Sequence, residues 1–233
     1  MRDFAEAFAT ALRLLAERDP ALVEIVALSL RVSLAALACA CAAGIPLGAV
    51  LGAVRFPGRG ALRVLVNALL GLPPVVVGLL VYLLLSRSGP LGGLGLLFTP
   101  AAMVIAQALL VAPIVTALAA STVEALAEEY GDQLRSLGAG RWRMLPTLVL
   151  EGRAQLFIAV LAGLGRALGE VGAVILVGGN IAHATRVMTT AIALETSRGD
   201  LALALALGML LIGVSVLLNG GAYALRQASL RHV

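Results

Sequence analysis

The sequence predicts an all-α integral membrane protein: about five transmembrane helices, an amphipathic helix lying on the bilayer at the N-terminus, and a folded polar helix–turn–helix between spans. Three observations carry this reading. The chain is 61% hydrophobic and only 13% charged, with a mean hydropathy of +1.02, far beyond a soluble globular domain. Its apolar runs are long enough to cross the bilayer as helices, which takes roughly 20 residues, and the alternating ten-residue pattern of a β-barrel is absent. One stretch, Ser121 to Arg153, is polar. It holds Glu124, Glu128, Glu129, Asp132 and Glu151 with Arg135, Arg141, Arg143 and Arg153, while apolar residues recur at helical spacing: Leu126, Tyr130, Leu134 and Leu137, then Met144, Leu145 and Leu148.

Taken in order, residues 1–19 place Phe4, Phe8, Leu12 and Leu15 on one face and charged residues on the other, as an interfacial helix does. Acids interrupt the region and no short apolar core precedes a cleavage site, which argues against a signal peptide. Asp19-Pro20 reads as N-cap and first helical position, starting a helix to about Val54 with a kink expected near Pro46. A basic turn follows at Arg55 to Gly60, then a second span over about 62–85, broken mid-membrane by Gly71-Leu72-Pro73-Pro74. The third span covers about 96–120. In the polar stretch, Gly138 and Gly140 give a flexible turn between two short amphipathic helices, and Pro146 interrupts the second. The fourth span covers about 154–177, ending at Gly178-Gly179 as helix C-termini do. A polar excursion, 181–200, leads to a fifth span over about 201–225. Cys39 and Cys41, two apart in an apolar helix, cannot form a disulfide and read as packing residues. No second domain or repeat is visible, so 1–233 is a single transmembrane domain.

The polar stretch resembles the cytoplasmic coupling loop of ATP-binding-cassette importer permeases. That family's pattern is Glu-Ala-Ala, three residues, Gly, nine residues, then Ile-x-Leu-Pro. Here Asp132-Gln133-Leu134 is followed after three residues by Gly138, and after nine more by Leu148-Val149-Leu150-Glu151. The acid, the glycine, the aliphatic pair and the spacing hold; the two alanines and the final proline do not. Gly165–Gly172, the excursion after Gly178 and Leu72-Pro73-Pro74-Val75-Val76-Val77-Gly78 resemble the permease subunits of tungstate importers, with molybdate permeases slightly further off. From about Ser29 onward the resemblance covers most of the chain.

This resemblance implies a permease working as a dimer of two copies, with cytoplasmic ATPase subunits docked on the 121–153 loop and an extracytoplasmic binding protein delivering an oxyanion. It assigns ATPase coupling to Asp132, Gly138, Arg141, Trp142, Leu148 and Leu150, with Trp142 as the aromatic knob; an interfacial membrane anchor is the other reading of Trp142. No cofactor is expected on the chain itself. It lacks lysine altogether and therefore any phosphate-cradling Gly-x-x-x-x-Gly-Lys loop, so ATP-Mg belongs on the partner ATPase. No Cys/His/carboxylate cluster has metal-ligand spacing, and none has the makings of a catalytic site.

With the coupling loop in the cytoplasm, Arg55, Arg59, Arg63, Arg135, Arg141, Arg143, Arg153, Arg226 and Arg231 lie inside, and Arg2, Arg13, Arg18, Arg87, Arg186 and Arg198 outside. This fits the positive-inside rule, with the N-terminus outside and the C-terminus in the cytoplasm of a prokaryotic cell. The basic pI of about 9.8 thus reflects topology; no basic stripe with interleaved aromatics points to nucleic acid.

Two intramembrane charges, Arg166 and Glu170, fall four apart, on one face if the helix is continuous. Such residues normally face the bundle interior or water. They read either as a pore-lining pair or as a pair locking this span to a neighbour. Arg186, Thr189 and Thr190 read as oxyanion donors at the outer mouth, or as parts of an ordinary surface loop. Two other readings of the whole chain are permeation of molybdate, sulfate or another small anion, and a secondary transporter or channel working without ATP. The second has no need of a folded docking loop.

Overall fold

The computed structural model describes residues 8–9, 12–13 and 20–230, and among them there is no β-strand. The interfacial helix expected over 1–19 lies outside the described residues, except that 8–9 and 12–13 are helical. The helices are α1 (Pro20–Ala53), α2 (Arg59–Leu69), α3 (Pro74–Leu85), α4 (Pro100–Ser136), α5 (Arg141–Glu151), α6 (Arg153–Leu168), α7 (Gly172–Gly178), α8 (Met188–Arg198) and α9 (Leu201–Leu230), with a single 3₁₀ turn at Gly92–Leu94 before α4. Three are long and apolar enough to cross a membrane alone: α1, α4 and α9 over 201–224. Two bent pairs, α2 with α3 and α5 with α6, bring the number of spans to five if each counts as one.

The breaks follow from the chemistry of a few residues. Between α2 and α3 the axis turns by 103°, because Pro73 and Pro74 each force the residue before them out of helical geometry. Neither helix, at 11 and 12 residues, reaches across the hydrocarbon alone at ~1.5 Å per residue. The single span expected over 62–85 is therefore two short helices at a sharp angle. The fourth span is also interrupted: α6 stops at Leu168 and α7 starts at Gly172, with Gly169 and Gly172 flanking Glu170. By contrast Pro46, Pro113 and Pro146 sit inside unbroken helices, so the interruption expected at Pro146 does not occur. The excursion after the fourth span contains a helix of its own, α8.

The chain divides into two compact units. One is made of 34–73 and 107–167. In it the C-terminal half of α1 lies against α4 through Gly44, Gly48 and Gly52, one every fourth residue. A β-carbon on Gly48 would lie 2.6 Å from the Thr116 carbonyl oxygen, and one on Gly52 would lie 2.7 Å from that of Ala120. Lipid tails are as apolar as leucine, so helices in a bilayer associate through such close backbone packing. Gly163 of α6 plays the same part, its missing β-carbon facing Val111 at 2.9 Å and Leu37 at 3.0 Å. Buried Gln107 donates to the Ala167 carbonyl at the end of α6 (3.1 Å). The cysteines are free, Cys39 exposed and Cys41 half-buried, so only the second packs as expected.

The other unit takes in the described chain up to Ser33, 74–106 and everything from Leu168. There α3 meets α7 at Gly78, where a β-carbon would come within 2.7 Å of the Ala173 backbone. Leu22, Ala191 and Leu207 bring the start of α1, α8 and α9 into one core.

Candidate functional site

The apolar part of α4 ends at Ala120, but the helix continues unbroken to Ser136. Its 37 residues span ~55 Å against a hydrocarbon core of ~30 Å, so the first helix of the expected helix–turn–helix is the projecting end of a transmembrane helix. What ends it is a closed turn. Gly138 has φ +80°, Gly138 N–H donates to the Arg135 carbonyl (2.9 Å), and Ala139 N–H donates to that of Leu134 (3.0 Å). This double bond pattern with a left-handed residue just past the helix caps two carbonyls that otherwise lack partners. Leu134 and Ala139 also pack against the same core cluster, as such turns favour. The turn expected to be flexible is therefore specifically hydrogen-bonded. Gly140, in ordinary extended geometry (φ −69°), serves as the N-cap of α5, its carbonyl accepting from Arg143 and Met144 N–H.

Helix α5 has two faces. Met144 and Leu148, four apart, are buried against Ala49 of α1 and Val123 of α4. The other face presents Trp142 (66% exposed) and Leu150 (64%), joined at the turn by Leu137 (82%). Asp132 is exposed and ion-paired with Arg135 (2.7 Å), and Arg141 opens α5 as an exposed residue. Of the six residues assigned to coupling, five lie on the exposed side or in the turn. Leu148 does not: at 1% exposure it anchors the helix from beneath. Leu137, which the spacing put on the buried face, is instead the most exposed of the large apolar residues here.

A charged cluster holds this projection to the rest of the unit. Arg59 donates from Nε to the Leu51 carbonyl (2.7 Å) and from Nη2 to that of Gly52 (2.8 Å), placing a cation on the negative end of α1. The same Nη2 reaches Glu124 Oε1 (2.9 Å). Arg63, one turn further along α2, grips both Glu124 oxygens, Nη1 reaching Oε1 at 2.7 Å and Nη2 reaching Oε2. Hydrogen bonding from Arg63 and the two positive charges outweigh desolvation and hold the Glu124 carboxyl below its ordinary range. The sign is that of a depressed acid: the cluster's stabilisation is complete above the ordinary carboxylate pKa and fades as pH falls through the lowered value. Glu124→Gln is expected to cost about 1–3 kcal/mol, the range for hydrogen bonds to charged groups. It would show as a lower Tm in detergent at neutral pH and a flatter dependence of Tm on acid pH. An unchanged Tm would mean that the cluster carries no stability.

The remaining expected site residues fall elsewhere. Arg166 is half-buried in the last turn of α6, and Glu170 is buried in the break before α7. They do not share a helix, so the premise of one helical face fails. Glu170 has a local task instead: its Oε1 accepts from Ala173 N–H (3.0 Å), capping α7 at the break. Thr189 and Thr190 are both buried. Thr189 Oγ1 donates to the Glu170 carbonyl (2.8 Å); Thr190 Oγ1 donates to Asn180 Oδ1 (2.9 Å) and accepts from Val187 N–H (3.2 Å). Their hydroxyls are engaged in holding α8 in place, and neither is open to an ion in this arrangement. Arg186 is half-buried, with a buried Nε that has no hydrogen-bond partner among the described residues. It lines a small cavity of about 90 Å³ beside Glu24 and His183, which pair at 2.7 Å.

Residues 44–229 match the family described as binding-protein-dependent transport system inner membrane component. The chain belongs to this family. The permease is 42% identical to the tungstate uptake system permease protein TupB of Peptoclostridium acidaminophilum over 227 residues, 97% of this chain and 100% of that one. It is 39% identical to a probable anion ABC transporter permease protein of Haloferax volcanii, over 85% of this chain and 88% of the other. The molybdenum transport system permease protein ModB of Escherichia coli K12 is 32% identical, over 71% and 76%. As the membrane component of a binding-protein-dependent system, the permease has use for a rigid, outward-facing element at its polar end, and α5 with its closed turn is one. The residues that fasten this element, Glu124 with Arg59 and Arg63, escape a reading that assigns the arginines to topology alone. Arg59 and Arg63 at i and i+4, facing a lone acid just past the end of a span, were the available signal.

Proposed function

We propose that this chain is one half of a homodimeric permease in an ATP-driven importer of tungstate. The ATPase is a separate cytoplasmic subunit carrying ATP-Mg, and an external binding protein delivers the ion. The single observation behind this reading is the match to a tungstate uptake permease along the full length of both chains. The exposed trio Leu137, Trp142 and Leu150 supports α5 as the element that enters the ATPase. Aromatic side chains surrounded by apolar rims are the usual anchors of such contacts. The arginine distribution supports a cytoplasmic α5 and C-terminus, with the N-terminus outside. Molybdate is the second reading, favoured by the resemblance to ModB; sulfate is the third.

Selection among these anions falls to the binding protein in this proposal. A path for a doubly charged oxyanion needs donors or positive charge along it to offset desolvation. Within the spans Arg166 is nearly the whole inventory, since Thr189 and Thr190 are engaged internally. That is too little to tell apart ions of one charge and one geometry. Equilibrium dialysis with radiolabelled tungstate tests this directly. The permease–ATPase complex alone is expected to show no submicromolar binding, and proteoliposome uptake is expected only once the binding protein is added. Submicromolar binding by the complex alone would place selection in the pathway and overturn the reading.

A further inference from the structure

At the polar end of the unit formed by 34–73 and 107–167, a cavity of about 150 Å³ is lined by Arg55, Arg59, Arg135 and Arg141, with Glu124 and Glu128 as its only acids. Its volume is roughly ten times the ~15 Å³ that a single water requires. The charges divide unequally. Glu124 is already gripped by Arg59 and Arg63, and Arg135 is shared with Asp132. Arg55 and Arg141 have no hydrogen-bond or ion-pair partner among the described residues, and Glu128 is the one acid left facing them. Arg59 is held in place by three acceptors: two backbone carbonyls and Glu124.

We infer that this pocket is a binding site for a phosphate-like tetrahedral oxyanion, held by Arg55 and Arg141 across the Arg59–Glu124 pair. Guanidinium groups are the side chains best matched to such anions, because they offer paired donors in a fixed fork. The placement gives the site a consequence. Arg55 belongs to the turn between α1 and α2, whereas Arg135 and Arg141 stand on either side of the Gly138 turn. An anion bridging them ties the start of α5 to the end of α1. The same phosphate chemistry comes from two sources, a free anion in the cytosol or the head group of an anionic lipid. The inference holds whichever ion is the cargo.

Trp142 is the only tryptophan in the chain and adjoins Arg141, so its emission reports on the site. Inorganic phosphate is titrated into the full chain in phosphatidylcholine nanodiscs, with sodium chloride at matched ionic strength as the control. A saturable emission change is expected with phosphate and not with chloride. Arg55→Gln, an exposed position distant in sequence from the reporter, is expected to raise the half-saturating concentration about fivefold; combined with Arg141→Gln the rise is at least about tenfold, or about 1.4 kcal/mol. Arg143→Gln, which does not line the pocket, leaves the midpoint unchanged. In phosphatidylglycerol nanodiscs, an emission already shifted and insensitive to phosphate, but restored by the double substitution, identifies a lipid head group as occupant. The inference is overturned if neither lipid gives a response, if the double variant responds like the wild type, or if Arg143→Gln abolishes the response equally.

Discussion

Gly138→Pro is expected to reduce substrate uptake by about a hundredfold while the protein remains inserted and folded. Proline fixes φ near −65°, and the native value is +80°, so the closed turn cannot form. The substitution also removes the N–H that donates to the Arg135 carbonyl. Together these cost ~3 kcal/mol or more, and at about 1.4 kcal/mol per factor of ten the native α5 orientation becomes a minor state. A graded series separates the backbone requirement from simple damage. Asparagine tolerates left-handed geometry best among the other residues, and alanine costs about 1–2 kcal/mol there. No heavy atom lies within 4 Å of a β-carbon built at Gly138, so crowding contributes nothing. Uptake in reconstituted vesicles should therefore fall in the order Gly, Asn, Ala, Pro, with the ATPase retained on the complex but no longer stimulated by loaded binding protein. Uptake at the wild-type rate in the proline variant would remove α5 orientation from the coupling mechanism.

How far the sequence could be read depended on the range of the interaction concerned. Helix content, the three long spans and the polar stretch follow from composition and 3.6-residue periodicity, which are local and strong in this chain. The coupling glycine was legible from spacing, and its left-handed φ and double carbonyl cap give that spacing a physical reason. Leu148 and Leu137 exchanged their expected exposures because the pattern alone does not say which side of α5 meets α1 and α4. That is decided by Ala49 and Val123, distant in sequence.

The breaks were legible in part. Pro73-Pro74 announced an interruption, but not that the chain would turn through 103° there. At Glu170 the apolar run looked continuous, and the charge drew attention to pairing rather than to capping. A carboxylate three residues ahead of an amide it caps, with glycines at 169 and 172, is a helix-start signal that a hydropathy reading passes over. Thr189 and Thr190 were chosen for their hydroxyls. The same hydroxyls are what lets α8 bury backbone groups that need partners.

Gly48→Leu is expected to give the largest loss of stability of any single change in the α1–α4 contact. Three glycines four apart let the two backbones approach so closely that a β-carbon at Gly48 would lie 2.6 Å from the Thr116 oxygen, 2.6 Å from the Ala119 β-carbon and 2.9 Å from the Ala120 nitrogen. Two of these three atoms are backbone, which cannot swing aside as a side-chain tip can. Even Gly48→Ala therefore forces the helices apart, at about 1–3 kcal/mol for overpacking. Leucine adds three carbons with no space to occupy and should exceed that range. The damage reaches the coupling element, because Ala49 and the neighbouring Val123 are part of the core on which Met144 and Leu148 rest. Gly60→Leu is the matched control: no heavy atom lies within 4 Å of its β-carbon, so only helix propensity changes. Thermal denaturation in a fixed detergent should rank the variants wild type and Gly60→Leu together, Gly48→Ala lower, Gly48→Leu lowest. Equal midpoints for Gly48→Leu and Gly60→Leu would show that α1 and α4 do not touch at this glycine.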